Sequence, residues 1–163
     1  MNFSAAALIP YRAGMSDDSN KPVTGRCLCG DIRYEYRGAP LKILHCHCES
    51  CRRHTSSPVA TSVCVERESF RVTQGTPVAY KSSPHVTRTH CGRCGSPLTY
   101  VTDQNNQVDV YVGTLDDPAA VAPTYHVHAE EQLPWFEIAD ASPRYARGKA
   151  GNEPVRHGPK PIG

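Results

Sequence analysis

The chain has 163 residues, 21% of them charged and 39% hydrophobic, and its formal net charge at pH 7 is +2. This length suits one domain, and so small a net charge makes nucleic acid an unexpected partner. No apolar run approaches the roughly 18 residues of a membrane-spanning helix. The AAALIP run at residues 5–10 is too short for the core of a signal peptide. We therefore expect a cytoplasmic protein without a membrane partner.

The middle of the chain has the pattern of β-structure. Residues 1–22 are small and polar without a period, which predicts a flexible N-terminal tail. From residue 23 to 138, apolar and polar side chains alternate in short runs between Gly and Pro, as in half-buried strands. The predicted strands lie in the segments 31–38, 59–66, 69–75, 77–82, 85–89, 97–102 and 108–115. No segment has a sustained helical period, although RRHTSS and DDPAAVA each allow one short turn. We predict one all-β domain.

The C-terminal segment has a different composition. Residues 139–163 are rich in Pro and Gly and carry scattered Arg and Lys. This composition predicts a second flexible tail, because such a segment offers little apolar surface to bury. The basic side chains indicate a solvated tail rather than a nucleic-acid arm.

The eight cysteines indicate metal binding, because thiols stay reduced in the cytoplasm and disulfides are rare there. All but one fall into three groups: C-x-C-G at 27–30, C-H-C-x-x-C at 46–51 and C-x-x-C-G at 91–95. Cys64 stands alone in a predicted strand and is expected to be a small buried side chain. We also expect Trp135 to fill core rather than stack on a substrate.

The spacing suggests that these cysteine groups form two kinds of metal site. A C-x-x-C-G turn points two thiolates at one ion and needs a second pair, for which 27/29 is a candidate. Four thiolates leave a zinc ion no open position, as at structural sites. The three remaining cysteines would leave one position open, which is typical of catalytic zinc. Spacing does not decide this partition: 46/48 could join 91/94 instead, or a single zinc could leave three thiols idle.

Several motifs occur in a specific order. They are GRCLCGDIRY (25–34), CHCESCRR (46–53), THCGRCGSPL (89–98) and GTLDDP (113–118), followed by Pro123, His126 and PWF (134–136). Over about residues 23–138 the set closely resembles the glutathione-dependent formaldehyde-activating enzyme family, which also includes centromere protein V. The resemblance implies a β-tent fold, in which coiled antiparallel sheets surround a structural zinc.

The resemblance also assigns the cysteines. Its structural zinc ligands match Cys27, Cys29, Cys91 and Cys94. Its second zinc site, which the resemblance implies is the site of glutathione binding, matches Cys46, Cys48 and Cys51. Two Zn²⁺ per chain are thus implied, together with an activity like that of an S-hydroxymethylglutathione synthase. The chain departs from the family pattern beside these sites, with Ser56 in place of a usual Gly and His90 in place of a usual aromatic residue.

A zinc ion with three thiolate ligands suits thiol chemistry. Strong donation by the sulfurs makes the ion a weaker Lewis acid toward water, whereas a soft site favours a further thiol and lowers its pKa. We therefore expect a carbon–sulfur lyase that forms or cleaves an adduct of glutathione, or a related thiol, with formaldehyde or a similar electrophile. Arg52 and Arg53 are expected to attract the acidic thiol.

The histidines have several candidate roles. His45 and His54 are candidates for the fourth zinc ligand or for proton transfer. The ring of His47, between two ligands, is expected to point away from the metal. His126 and His128 share one face of a predicted TYHVHAE strand, where packing or hydrogen bonding is the expected role.

A second hypothesis is a zinc-stabilised binding module without turnover. The family resemblance includes centromere protein V, so the fold by itself does not imply catalysis. The open three-cysteine site favours the enzyme, and the lack of a long basic segment argues against a chromatin role.

Overall fold

The computed structural model describes residues 21–151 and 153–155. The predicted N-terminal tail therefore lies outside the described residues, apart from positions 21 and 22, and so do residues 156–163. The strands are β1 (Val23–Arg26), β2 (Arg33–Tyr36), β3 (Lys42–Cys46), β4 (Ala60–Glu66), β5 (Phe70–Gln74), β6 (Val78–Ser83), β7 (Val86–His90), β8 (Pro97–Thr102), β9 (Gln107–Tyr111), β10 (Tyr125–Val127), β11 (Arg144–Tyr145) and β12 (Pro154–Val155).

In the described part of the chain, one α-helix, α1 (Glu49–Thr55), accompanies these strands. Short 3₁₀ turns occur at Arg67–Ser69, Val112–Thr114, Pro118–Ala120 and Ala129–Glu131. Within the described ranges, no helix has the length and apolarity needed to cross a membrane. The prediction of an all-β domain is confirmed. Within residues 23–138, strands β1 and β3 were not predicted from the sequence, and the strand expected at 108–115 ends at Tyr111.

A small sheet of three strands packs over the main core. It has the order β1-β2-β5, and both pairs are antiparallel. Tyr34 and Tyr36 alternate with charged side chains along β2 and are almost completely buried. Gly25 faces Tyr34 across the β1–β2 pair, where any β-carbon would overlap the Tyr34 ring. The close approach of this ring explains the glycine.

The large sheet has nine strands in the order β12-β11-β10-β3-β4-β9-β8-β7-β6. In the part of the sheet with the order β3-β4-β9-β8-β7-β6, all neighbouring strands are antiparallel. This part includes the predicted hairpin of β8 and β9 around residues 103–106. β10 is parallel to both β3 and β11. Strand β3 therefore ends beside β10, and this end carries the first cysteine of the triple motif, Cys46.

The main core lies between the two sheets. It contains Val63, Val65, Val108, Val110 and Leu98, each at most 2% exposed. These residues come from neighbouring strands, so their alternation places one apolar face toward the small sheet.

Two single residues from the sequence analysis have opposite outcomes. Cys64 is completely buried, as predicted, and its thiol donates to Gln107 Oε1 at 3.3 Å. The expectation that Trp135 fills core is wrong, because its side chain is 64% exposed. Trp135 lies in an irregular segment and contacts Phe136 edge-on, with ring centroids 6.1 Å apart.

The structure differs from the prediction of a loose tail beginning at residue 139. Tyr145 on β11 is buried and packs edge-on against Tyr125, with ring centroids 5.9 Å apart. The backbone of β11 also pairs with β10. Pro and Gly prevent regular structure over much of this segment, but one aromatic anchor and an accepting strand edge are enough to hold it against the domain.

Candidate metal centres and the adjoining pocket

Four cysteines from two separate turns meet at one end of the small sheet. Cys27 and Cys29 follow β1, Cys91 and Cys94 follow β7, and their four sulfurs lie within 4.8 Å of one another. The Cys27–Cys29 and Cys29–Cys91 sulfur distances are 3.5 and 3.8 Å. These exceed a disulfide bond, and two sulfurs on one tetrahedral Zn²⁺ lie about 3.8 Å apart. The donor set and its spacing fit one metal ion.

Tight backbone turns hold these sulfurs. Gly30 and Gly95 have φ angles of +80° and +76°, a left-handed conformation that glycine adopts without strain. The Gly95 N–H donates to the Cys91 carbonyl at 2.9 Å, which closes the second turn. In the first turn the Ile32 N–H donates to Cys27 Sγ at 3.3 Å. A backbone donor aimed at a sulfur stabilises its thiolate form.

Three further cysteines form a second cluster, where β3 ends and α1 begins. Cys46, Cys48 and Cys51 have their sulfurs within 4.8 Å of one another, and the Cys46–Cys48 distance is 3.5 Å. Cys48 is the N-cap of α1, and its sulfur accepts from the Cys51 N–H at 3.4 Å. Among the described residues, no fourth histidine, cysteine or carboxylate joins this cluster. The cluster can hold a metal ion and leave one position to an external ligand.

The end of α1 shows why glycine is usual at one position where this chain departs from the family pattern. Ser56 terminates the helix with φ at +50° and ψ at +40°, the left-handed conformation in which glycine is usual. Serine therefore adopts a conformation here that costs an L-residue about 1 kcal/mol.

The structure resolves the partition that spacing left open. The pair 91/94 lies with 27/29, and 46/48 lies with Cys51. The structure thus brings together the same cysteine sets that the family resemblance assigns.

A chain of hydrogen bonds runs from the C-terminal segment to the triple-cysteine loop. The Asp140 carboxylate lies 3.0 Å from His126 Nε2, and His126 Nδ1 lies 2.9 Å from His47 Nε2. A carboxylate only accepts, so His126 donates from Nε2, and in its neutral form it accepts from His47 at Nδ1. Burial lowers the pKa of His47 to about 4, so its imidazole is neutral at pH 7. These hydrogen bonds fix the backbone between Cys46 and Cys48.

Two expectations about histidines are confirmed. The ring of His47 contacts His126 rather than the cysteine sulfurs, and His126 has a hydrogen-bonding role. The expectation that His126 and His128 share a strand face is wrong. Strand β10 ends at Val127, and His128 has a left-handed φ of +56° that turns the chain.

Neither His45 nor His54 joins the cysteine sulfurs. His45 Nδ1 lies 2.9 Å from Thr61 Oγ1, and the other side of its ring faces His126. His54 packs against the Tyr111 ring, with centroids 5.5 Å apart. The structure therefore gives no support to either histidine as a fourth ligand.

A pocket of about 830 Å³ opens beside the triple-cysteine cluster. This volume lies in the range of small-molecule sites. Its polar lining includes Cys46, Cys48, Cys51, Lys42, Arg88, Tyr100, Asp109, Tyr111 and Lys149. The four-cysteine cluster does not line it. Only the triple cluster, within the part of the chain that the structure describes, is therefore placed to meet a ligand in this pocket.

Arg88 is a site residue that the sequence analysis missed. It lies on β7, is 4% exposed, and its two terminal nitrogens lie 3.6 and 3.7 Å from Cys51 Sγ. Its guanidinium also donates to Tyr111 Oη at 2.9 Å and lies over the Tyr100 ring. Hydrogen bonds with Cys46 and Cys48, followed by the positive charge of Arg88, hold the pKa of Cys51 well below its ordinary value. The sequence signal that could have identified Arg88 was a single arginine within the alternating VTRTH strand.

The two predicted thiol-binding arginines lie elsewhere. Arg52 directs its Nε to the His47 carbonyl at 2.9 Å. Arg53 is exposed and pairs with Glu49 on the same helix, at 2.8 Å. Neither lines the pocket, because the turn of α1 that brings Cys51 inward directs the next two side chains away from it. Their positions do not support the predicted role, and Arg88 takes the place expected for a cation.

Comparisons with known proteins agree with this site. A family model described as glutathione-dependent formaldehyde-activating enzyme matches residues 22–131. An uncharacterized lyase of Schizosaccharomyces pombe is 35% identical over 76 residues, which are 47% of this chain and 55% of the relative. The chain thus matches just over half of that relative's length.

A solved structure shares the fold. The crystal structure of a Rhodobacter sphaeroides protein has a TM-score of 0.50 and 23% identity, over 61% of this chain and 91% of that one. Because the family model spans more than half of the chain, the protein belongs to the glutathione-dependent formaldehyde-activating enzyme family.

Proposed function

We propose that this chain is a zinc-dependent enzyme of the carbon–sulfur lyase type. It binds glutathione or a related thiol and forms or cleaves the adduct of that thiol with formaldehyde or a similar electrophile. The observation that carries the proposal is the triple-cysteine cluster, which has three protein sulfurs and faces a pocket of about 830 Å³. The family membership and the lyase relative support the same reaction type. We place the activity in the cytoplasm, where thiols remain reduced.

The two clusters have different proposed roles. Cys27, Cys29, Cys91 and Cys94 would hold a structural zinc, because four thiolates complete its tetrahedral shell. Cys46, Cys48 and Cys51 would hold a second zinc. When bound there, the ion would favour a further sulfur ligand and lower the pKa of an incoming thiol.

The protein residues around the second site favour an anionic thiol. Three thiolates and one Zn²⁺ carry a formal charge of −1, which opposes a further anion. The permanent positive charge of Arg88, held against Cys51, offsets it. Arg88 also lies over the Tyr100 ring and donates to Tyr111, so its position is fixed before a ligand arrives.

The addition needs no oxidant or organic cofactor. The thiol sulfur forms a bond to the carbonyl carbon, the π electrons move to oxygen, and the proton lost by the thiol ends on that oxygen. Tyr111 lines the pocket, and burial raises the pKa of its hydroxyl, so it stays protonated. Its oxygen accepts from Arg88, which leaves its own proton free to be donated to the developing alkoxide. The proton lost by the thiol then replaces the one that Tyr111 gave, so the net transfer is one proton from sulfur to oxygen.

Replacing Zn²⁺ by Co²⁺ tests thiol recruitment directly. We expect glutathione to intensify the thiolate-to-cobalt charge-transfer absorption, because a fourth sulfur joins the three of the protein. The response should grow as pH rises toward the lowered pKa of the thiol, since the thiol must lose its proton to bind. S-methylglutathione, which has no ionisable thiol, should give no change. Equal responses to both compounds, or none to either, would favour the binding module without turnover.

Metal content is a second expected result. Under zinc-replete conditions the protein should contain two equivalents of zinc per chain. A chelator should remove the second equivalent first, because only three protein sulfurs hold it. Elemental analysis during a chelator titration measures the zinc content and the order in which the two equivalents are lost. A content that stays at one equivalent in excess zinc would contradict the proposed pair of sites.

A further inference from the structure

The segment that follows the family match packs against the rest of the domain. The family match ends at residue 131, but the following chain returns along β10. The His126 N–H donates to the Pro143 carbonyl at 2.9 Å, and the His128 N–H donates to the Arg147 carbonyl at 3.0 Å. These bonds fix the backbone of residues 143–147 at the edge of the large sheet.

Side chains fix the same segment at three points. Tyr145 is buried against Tyr125, and Arg147 pairs with Glu130 at 3.0 Å. Asp140 accepts from His126, the residue that contacts the loop between two cysteines of the triple cluster. The direction of the chain after Arg147 is thereby set.

This direction takes the next residues to the pocket. Gly148, Lys149 and Ala150 form part of its lining, together with the triple-cysteine cluster. The Lys149 ammonium lies 4.6 Å from the centroid of the Tyr125 ring, which also lines the pocket. A cation–π contact of this kind holds an ammonium in place while leaving its hydrogen-bond donors available.

The charges of the pocket single out Lys149. Arg88 is engaged by Cys51 and Tyr111, and Lys42 donates to Gln107 at 3.1 Å and lies near the Asp109 carboxylate. Lys149 is exposed and has no carboxylate partner among the residues that the structure describes. Over the described ranges it is therefore a cation on the pocket wall that forms no ion pair.

We propose that residues 148–150, which the segment 139–147 holds in place, form a wall of the pocket and that Lys149 on this wall binds a carboxylate of the thiol ligand. The inference rests on the proposed function, since the thiol sulfur at the triple-cysteine cluster sets which end of the ligand reaches Lys149. It makes a segment outside the family match a determinant of thiol specificity. A thiol that carries a carboxylate is preferred over a neutral thiol of the same length.

The test compares glutathione with its diethyl ester on the cobalt-substituted protein. The ester keeps the thiol and the peptide backbone of glutathione, but both of its carboxylates are masked by ethyl groups. In the unchanged protein we expect glutathione to bind about fivefold more tightly than the ester, as for an accessible charge pair. Lys149→Met should remove this preference and leave the affinity for the ester unchanged. Lys149→Arg should retain the preference, and high salt should reduce it.

Lys81→Met is the matched control, because Lys81 is exposed on β6 and does not line the pocket. This variant should keep the full preference for glutathione. If Lys149→Met binds both compounds as the unchanged protein does, the role of Lys149 is overturned while thiol recruitment stands. If no thiol changes the cobalt spectrum of any variant, the proposed function fails, and the inference fails with it.

Discussion

Cys27→Ser or Cys94→Ser should give unfolded or insoluble protein, whereas Cys48→Ser should fold and lose only the second metal. The four-cysteine cluster joins segments 62 residues apart, and two of its members, Cys27 and Cys91, are 1% exposed within the main core. Structural zinc contributes about 10–16 kcal/mol in small zinc domains, and a whole domain has a net stability of about 5–15 kcal/mol. Loss of one ligand from this site therefore removes a large part of the stability.

The triple cluster has a smaller share in the fold. Its cysteines are only partly buried, and α1 and β3 are also held by backbone pairing and by the contact of His47 with His126. Far-ultraviolet circular dichroism and elemental analysis of the purified variants measure fold and metal content together. Cys64→Ser, at the single cysteine outside both clusters, controls for the loss of a thiol. If the two classes of cysteine variant unfold alike, the structural and functional assignments are incorrect.

Arg88→Met should weaken glutathione binding about 10- to 100-fold. This range corresponds to about 1.4–2.7 kcal/mol, the order of one unit-charge attraction across roughly 6–12 Å at an effective dielectric constant of about 20. Methionine keeps much of the side-chain volume but removes the positive charge beside Cys51. The cluster would then repel an incoming thiolate, and thiol binding should require a higher pH. Arg88→Lys should recover part of the affinity, because lysine keeps the charge but cannot bind Cys51 and Tyr111 as a planar fork.

The cobalt charge-transfer titration across pH measures this effect. Arg53→Met is the matched control, because Arg53 is exposed, pairs with Glu49 and does not line the pocket. It should bind glutathione as the unchanged protein does. Circular dichroism separates a loss of binding from a loss of fold. A folded Arg88→Met protein with unchanged affinity and pH dependence would show that this arginine does not assist the thiol.

Local patterns in the sequence determined the fold class. Apolar alternation in segments such as DIRYEYRG follows from the two-residue period of a strand, so Tyr34 and Tyr36 could be assigned to one buried face. The same reasoning located the hairpin of β8 and β9. It failed for β3, because His45 and Cys46 interrupt the apolar pattern where the strand approaches the cluster.

The sequence also identified the candidate metal ligands, since closely spaced cysteines can be recognised within a few residues. Their partition came from the family resemblance and from the structure, because sulfurs from positions 27 and 91 meet only through the tertiary fold.

Only the tertiary structure decided what surrounds the sulfurs. Arg88, Tyr111 and Lys149 come from β7, β9 and the C-terminal segment, and no local pattern relates them. Arg52 was adjacent in sequence and was therefore the natural candidate, but the helix directs it to the His47 carbonyl. Residues that are close in sequence can supply several metal ligands from one backbone turn. The residues that line a pocket come from distant strands, so their positions depend on how those strands pair and pack.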